Sequence, residues 1–217
     1  PSGGYQYEVR TSGAPGSGNT GLAASGNTGA GVVSSDVTGL SSATTFSAYV
    51  RSFCGGSDYS AWTSAYTFAT SCASENIPTV SQGFEAATLP VCWSTALVTG
   101  STNWAPDTDN DGVPSPHAGT YFMGKNYTTS DALIFSQPIN MTSSATGGRI
   151  NVWIYRSTVN LASDRIRFHV NTTQSLTGAT QLLEIFPLIS VTPTVASEGW
   201  YNYQASIPGS YNSNTTV

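Results

Sequence analysis

Charge is what this sequence lacks most. Only 9% of its 217 residues are Asp, Glu, Lys or Arg, and seven Lys plus Arg against twelve Asp plus Glu leave a formal charge of -5. No stripe of basic side chains is available to neutralise phosphates, so nucleic acid is not an expected partner. Histidine is nearly as scarce. His117 and His169 are the only conventional bases near neutral pH, and neither accompanies a nucleophile in a setting such as GxSxG. No run of about eighteen apolar residues, the length a bilayer-spanning helix needs, occurs. The opening residues PSGGYQYEVR also lack the charged start and apolar core of a secretory leader. The chain therefore reads as an internal piece of a longer protein.

What is abundant is Gly, Ser, Thr and Asn, together with 11% aromatics. That mixture suits short strands, many turns and polar faces without charge, and few stretches favour a helix. The length fits one domain or two. Composition favours two all-β units, at residues 1–72 and 82–217, with a linker over residues 73–81.

Taken in order, Tyr5 to Arg10 alternates as a strand does, with Tyr5, Tyr7 and Val9 on one face and Gln6, Glu8 and Arg10 on the other. The run TSGAPGSGNTGLAASGNTGAG after it reads as a flexible loop or an irregular edge hairpin, with a ligand-binding loop as the lesser alternative. Further on, Phe46, Ala48 and Val50 line one face of a strand, and Tyr66 and Phe68 mark another after a Gly-rich loop.

This stretch, VTGLSSATTFSAYVRSFCGGSDYSAWTSAYTFAT, resembles the later half of a fibronectin type III domain. In that family a leucine, a short turn, Thr and an aromatic lead into strand F. The aromatic is usually Tyr, whose hydroxyl ties the corner together; Phe46 cannot do that. The resemblance makes Tyr5 to Thr11 strand C and leaves the family's first two strands outside this chain. The half sandwich would then be completed by an upstream segment or another chain.

Beyond residue 77 the order of features is Phe84-Glu85, then Leu-Pro-Val-Cys-Trp, an acidic turn, HAGTYFM and ALIFSQPI. The candidate strands RINVWIYR, DRIRFHVN, QLLEIF and GWYNYQASIP come next. This order resembles MAM-like jelly rolls, and more closely the cleaved-adhesin or choice-of-anchor modules of secreted Bacteroidetes proteins, in which further strands come after the last of these. The expected fold is thus all-β, two β-sandwich domains in series. The resemblance implies non-catalytic adhesion or spacer modules of a large protein exported by the type IX route to the cell surface. Such modules would contact neighbouring domains and a protein or polysaccharide ligand.

Three cysteines, Cys54, Cys72 and Cys92, cannot all pair with one another. Cys54 and Cys72 should lie at opposite ends of an antiparallel hairpin, roughly 20 Å apart, whereas a disulfide needs Cα atoms within about 7 Å. The MAM resemblance pairs Cys72 with Cys92, which implies an oxidising compartment. The alternative is three separate thiols, and Cys54 could also meet a cysteine outside this chain.

The densest acidic cluster is DTDNDG, with Asp107, Asp109 and Asp111 at alternate positions and Gly112 next. This matches the first half of a calcium loop. The second half fails, because the twelfth position is Ala118 where an EF-hand has Glu. The resemblance supplies Glu85 as a further ligand and calcium as a structural ion. The competing reading is an Asp/Asn/Gly turn that caps its own amides.

Catalytic readings are thinner. His169 falls on a strand face and His117 before a Gly turn. Glu85 with Glu184 or Glu198 could be proposed as a glycosidase pair, but any β protein offers such pairs. Trp93, Trp104, Trp153, Trp200, Tyr121 and Tyr201 fall mostly in strand-like runs and are assigned to the core. One or two exposed aromatics would instead suit a carbohydrate-binding module attached to a secreted hydrolase. Four sequons, at Asn126, Asn140, Asn171 and Asn214, matter only for a eukaryotic receptor ectodomain.

Overall fold

The structure, a computed structural model of the chain, describes residues 1–76, 80–108, 115–125, 129–143, 146–215 and 217. Every regular element among them is a strand. The chain divides into two compact units, Pro1–Ala73 and Ser74–Val217.

The first unit contains β1 (Tyr5–Arg10), β2 (Leu22–Asn27), β3 (Thr45–Gly55), β4 (Asp58–Tyr59) and β5 (Tyr66–Ala69). They form one antiparallel sheet with β1 between β2 and β3, and β4 and β5 both pair with β3. The Gly/Ser/Thr/Asn run is therefore a hairpin arm. Its small residues serve the neighbouring strand: Gly26 stands opposite Tyr7, and a Cβ there would lie 2.6 Å from the Tyr7 hydroxyl oxygen.

One face of this sheet buries Val9 and Phe46, with Phe46 stacked on Phe68 at 5.8 Å between ring centroids. On the opposite face the Arg10 guanidinium is buried. It donates to Glu8 at 2.6 Å and to the carbonyls of Thr20 and Gly18 at 3.1 and 2.6 Å, while Glu8 also accepts from Gly16 N at 3.0 Å. Burial alone would raise the Glu8 pKa. The Gly16 amide, the Arg10 guanidinium and the Arg51 charge outweigh it and hold the carboxyl below its ordinary range. Farther along this face, Arg51 lies 3.9 Å from the Tyr59 ring centroid and 4.5 Å from that of Trp62, worth about 0.5–2 kcal/mol per contact depending on exposure.

The second unit contains β6 (Glu75–Asn76), β7 (Ser94–Thr99), β8 (Ala105–Asp107), β9 (Phe122–Gly124), β10 (Asp131–Phe135), β11 (Ile139–Asn140), β12 (Gly148–Arg156), β13 (Ile166–Val170), β14 (Thr180–Ile185), β15 (Gly199–Ile207) and β16 (Asn214–Thr215). The pairs β7–β10, β8–β9, β12–β15 and β13–β14 are antiparallel ribbons, while β11 lies between β6, parallel to it, and β16, antiparallel to it. Residues 73–81 are thus not linker throughout, since Glu75 and Asn76 form β6. Met141, Val170 and Ile207 form a buried cluster, with Ile150 and Leu182 packed against it.

Strand β12 alternates strictly. Ile150, Val152, Ile154 and Arg156 face inward, and Arg149, Asn151 and Trp153 face outward. Arg156 is fully buried, and its hydrogen bonds go to carbonyls and a hydroxyl. Cys72 and Cys92 form a disulfide, as the MAM resemblance led us to expect, and Cys54 is an exposed free thiol. A native disulfide is the mark of an oxidising compartment.

Candidate functional site

Two places gather the residues that the sequence singled out. The first is the mouth of the acidic loop. Asp107 ends β8 and stands opposite Phe122 of β9, so this ribbon closes the loop at its base. Glu85 reaches the same loop from elsewhere in sequence: its Oε2 accepts from Thr120 N at 2.8 Å. The carboxylate rests on Gly119, whose φ of 72° suits glycine, and a Cβ at that position would collide with both carboxylate oxygens. Asp107 Oδ1 accepts from the Thr108 amide at 2.8 Å, the self-capping that the turn reading expects. Asp109 and Asp111 lie outside the described residues. Among the described residues no group of three or more His, Cys, Asp or Glu side chains is placed to hold a metal ion.

The second place is the outer face of the β12–β15 ribbon. Register sets Trp153 opposite Asn202, Asn151 opposite Gln204, Arg149 opposite Ser206 and Tyr155 opposite Trp200. Directly opposed residues share a face, so these eight side chains make two parallel outward rows.

Residues 115–122 cover one end of the rows. Trp200 Nε1 donates to Ser115 O at 3.1 Å, and Phe122 and Tyr155 meet the Trp200 ring edge to face at 5.9 and 5.6 Å. His117 stacks on Trp153 at 3.8 Å with an interplanar angle of 20°, and also meets Trp200 at 6.1 Å. Burial, helped by Glu198, raises the Tyr155 pKa and keeps its hydroxyl protonated.

The core assignment of the aromatics needs correcting at Trp153, which remains 48% exposed. Its strand is buried on one face only, and position 153 falls on the other. The remaining aromatics are at least partly covered: Trp104 Nε1 donates to Ala132 O, Trp93 meets Phe84 edge to face at 5.1 Å, and Tyr201 Oη donates to Ser197 O.

The other candidates are dispersed. His169 sits on β13, where burial and then the Arg167 charge lower its pKa, leaving it neutral at pH 7. Glu184 accepts from Arg167 Nε at 2.5 Å, and Glu198 accepts from the amide and hydroxyl of Thr158. Those hydrogen bonds lower both carboxyl pKa values. Among the sequons, Asn140 bonds Asn76 and Thr142, and Asn171 donates to the carbonyls of Ser175 and Thr177, while Asn126 and the Asn214 side chain lie outside the described residues.

Sequence reasoning named Trp153, Trp200 and His117 one at a time and missed Asn151, Asn202, Gln204 and Arg149. A signal was available, because Arg149, Asn151 and Trp153 alternate with Ile150, Val152 and Ile154. The partner strand, and hence the second row, required the register. Comparison of the chain with protein-family models, curated proteins and solved structures finds no match.

Proposed function

We propose that this chain is a non-catalytic recognition piece of a large, exported, modular surface protein, two strand-built modules that engage a ligand without altering it. The observation that carries the proposal is the outer face of β12–β15, where a half-exposed indole braced by His117 adjoins Asn151, Asn202 and Gln204, all exposed. Exposing a Trp costs hydrophobic free energy that a buried position would recover. A stacked imidazole that fixes the ring lowers the entropy lost when a ligand docks on it.

The strand order β2-β1-β3-β5 supports reading residues 1–72 as part of a fibronectin type III domain, with β1 as strand C and β3 and β5 as F and G. The antiparallel ribbons of the second unit are in keeping with a β-sandwich, and its reading as a MAM-like jelly roll rests on the sequence resemblance. Export by the type IX route to a Bacteroidetes surface rests on that resemblance. Calcium is part of the proposal: Asp107, Asp109, Asp111 and Glu85 would hold it, and its charge would brace the loop.

The test is solid-phase binding of the purified chain to immobilised polysaccharides and to collagen and fibrinogen, with chromogenic glycosides and esters assayed in parallel. Saturable binding that Trp153→Ala weakens, without product release, is expected. Turnover that Glu184→Gln or Glu198→Gln abolishes would overturn the proposal, as would failure to bind either panel.

A further inference from the structure

The composition of the outer β12–β15 face specifies more than a generic docking patch, and the ligand class it selects rests on the recognition role proposed for that face. Beyond Trp153 the two rows carry Asn151, Arg149, Asn202, Gln204 and Ser206, all exposed. Arg149 Nη1 donates to Gln204 Oε1 at 3.3 Å, Gln204 Nε2 to Asn202 Oδ1 at 3.4 Å, and Asn202 Nδ2 to the Val152 carbonyl at 3.5 Å. The amides are therefore lined up by long, weak bonds. Each amide has two N–H donors and an oxygen with two lone pairs, so Asn202 and Gln204 each keep a donor and an acceptor for a ligand.

Such a row offers paired donors and acceptors, which is what adjacent hydroxyl groups require. The indole supplies the complementary element. His117 stacks on one face of Trp153 while the residue as a whole stays 48% exposed, so solvent-accessible aromatic surface stands at the head of the amide rows. An apolar C–H face that also carries hydroxyls at its rim is the chemistry of a sugar ring.

Charge narrows the class. Arg149 is the one ionisable side chain on the two rows beyond Trp153, and the chain as a whole carries a formal charge of -5, which disfavours a polyanion. A protein partner fits less well. The core of a protein interface is a contiguous apolar, desolvated patch around its anchor, and here the anchor's neighbours are primary amides.

We infer that the outer face of β12–β15 is a binding site for a neutral polysaccharide, with one ring stacked on Trp153 and the following residues hydrogen-bonded by Asn151, Asn202 and Gln204. At about 3.3 Å per residue, Trp153 to Arg149 spans roughly 13 Å, room for a short oligosaccharide. The chain would run from Trp153 toward Arg149, because residues 115–122 wall off the Tyr155–Trp200 end.

Affinity electrophoresis of the whole chain tests this, in gels cast with xylan, mixed-linkage β-glucan, galactomannan or mannan, and with alginate and heparin as anionic probes. At least one neutral polysaccharide should retard the protein. Trp153→Ala should weaken that retardation tenfold or more, and the double substitution Asn202→Ala/Gln204→Ala, which touches no packed group, at least threefold. Leu161→Ser, at another exposed position, should leave it unchanged. Retardation by alginate or heparin alone overturns the inference, and so does retardation that survives both sets of substitutions. Binding to collagen or fibrinogen with no shift in any neutral gel overturns it while leaving the recognition reading intact. No binding in either assay overturns both.

Discussion

Arg156 offers the sharpest test of how the second unit is held together. The side chain is fully buried and its guanidinium makes five hydrogen bonds, none to a carboxylate. It donates to the carbonyls of Pro187, Pro193, Leu188 and Val191 and to the Tyr203 hydroxyl, at 2.6 to 3.3 Å. One cation thus gathers the carbonyls of residues 187–193 against the end of β12.

The loop also has bonds of its own. Pro187 O accepts from Ser157 N, and Leu188 O from Val191 N, so these two carbonyls would keep a donor if the arginine were lost. Replacing Arg156 with Met leaves the carbonyls of Val191 and Pro193 and the Tyr203 hydroxyl without it. These three groups are only part-buried, so the low end of about 1–3 kcal/mol per polar group deprived of its partner applies, and with some of the charge's own desolvation cost recovered the net loss should be at most about 3 kcal/mol. For a unit of this size that lowers the melting midpoint by at most about 6–12 °C.

Arg156→Lys keeps the charge but offers three donors in place of the planar fork, and should fall between the two at about 2 kcal/mol. Tyr203→Phe should cost about 1 kcal/mol, and coupling with Arg156→Met should make the double variant less than additive. The assay is chemical denaturation with tryptophan fluorescence as the probe, since Trp93, Trp104, Trp153 and Trp200 report on this unit. If Arg156→Met stays within 1 kcal/mol of the parent, the carbonyl clamp contributes nothing, and this account of the buried cation is refuted.

Three further outcomes are expected on the same physical grounds. Glu8 has a depressed pKa in the folded chain, so its contribution is present above its unfolded value and disappears as pH falls through the folded one; Glu8→Gln should flatten the acid limb of the first unit's stability, and an unchanged limb in a urea-by-pH series would show that the Arg10 pair contributes nothing there. Cys72 and Cys92 close a loop of about 20 residues, so reduction or Cys92→Ser should cost about 3 kcal/mol, a figure that denaturation with and without reductant checks directly. Calcium that binds only the folded state raises the melting midpoint by mass action; a rise with calcium, reversed by chelator and lost in Glu85→Gln and Asp109→Asn, is expected, and a midpoint indifferent to the ion removes the metal from the proposal.

Much of the architecture could be read along the chain because it is written in short-range chemistry. The period-2 pattern of Tyr5–Arg10 and of residues 149–156 marks strands wherever they pair, and the lack of helix-favouring runs fixes the all-β class. The hairpin arm at Leu22–Asn27 was harder, since its small residues carry almost no hydrophobic signal. Only Tyr7, lying over Gly26 on the adjacent strand, shows why small residues are wanted there.

The candidate site was legible in fragments. Exposure of Trp153 followed from alternation once Ile150, Val152 and Ile154 were taken as the inward face, yet aromatic content alone pointed to the core. That Asn202 and Gln204 stand beside Trp153 and Asn151 depends on a register between strands about fifty residues apart, and the placement of His117 depends on residues 115–122 folding back over that ribbon. Sequence by itself determined which segments extend and which side chains share a strand face, because alternation is a property of the backbone. Tertiary structure alone decided which faces are buried and which distant residues become neighbours, because strand pairing is set by hydrogen bonds whose partners are chosen only when the chain closes on itself.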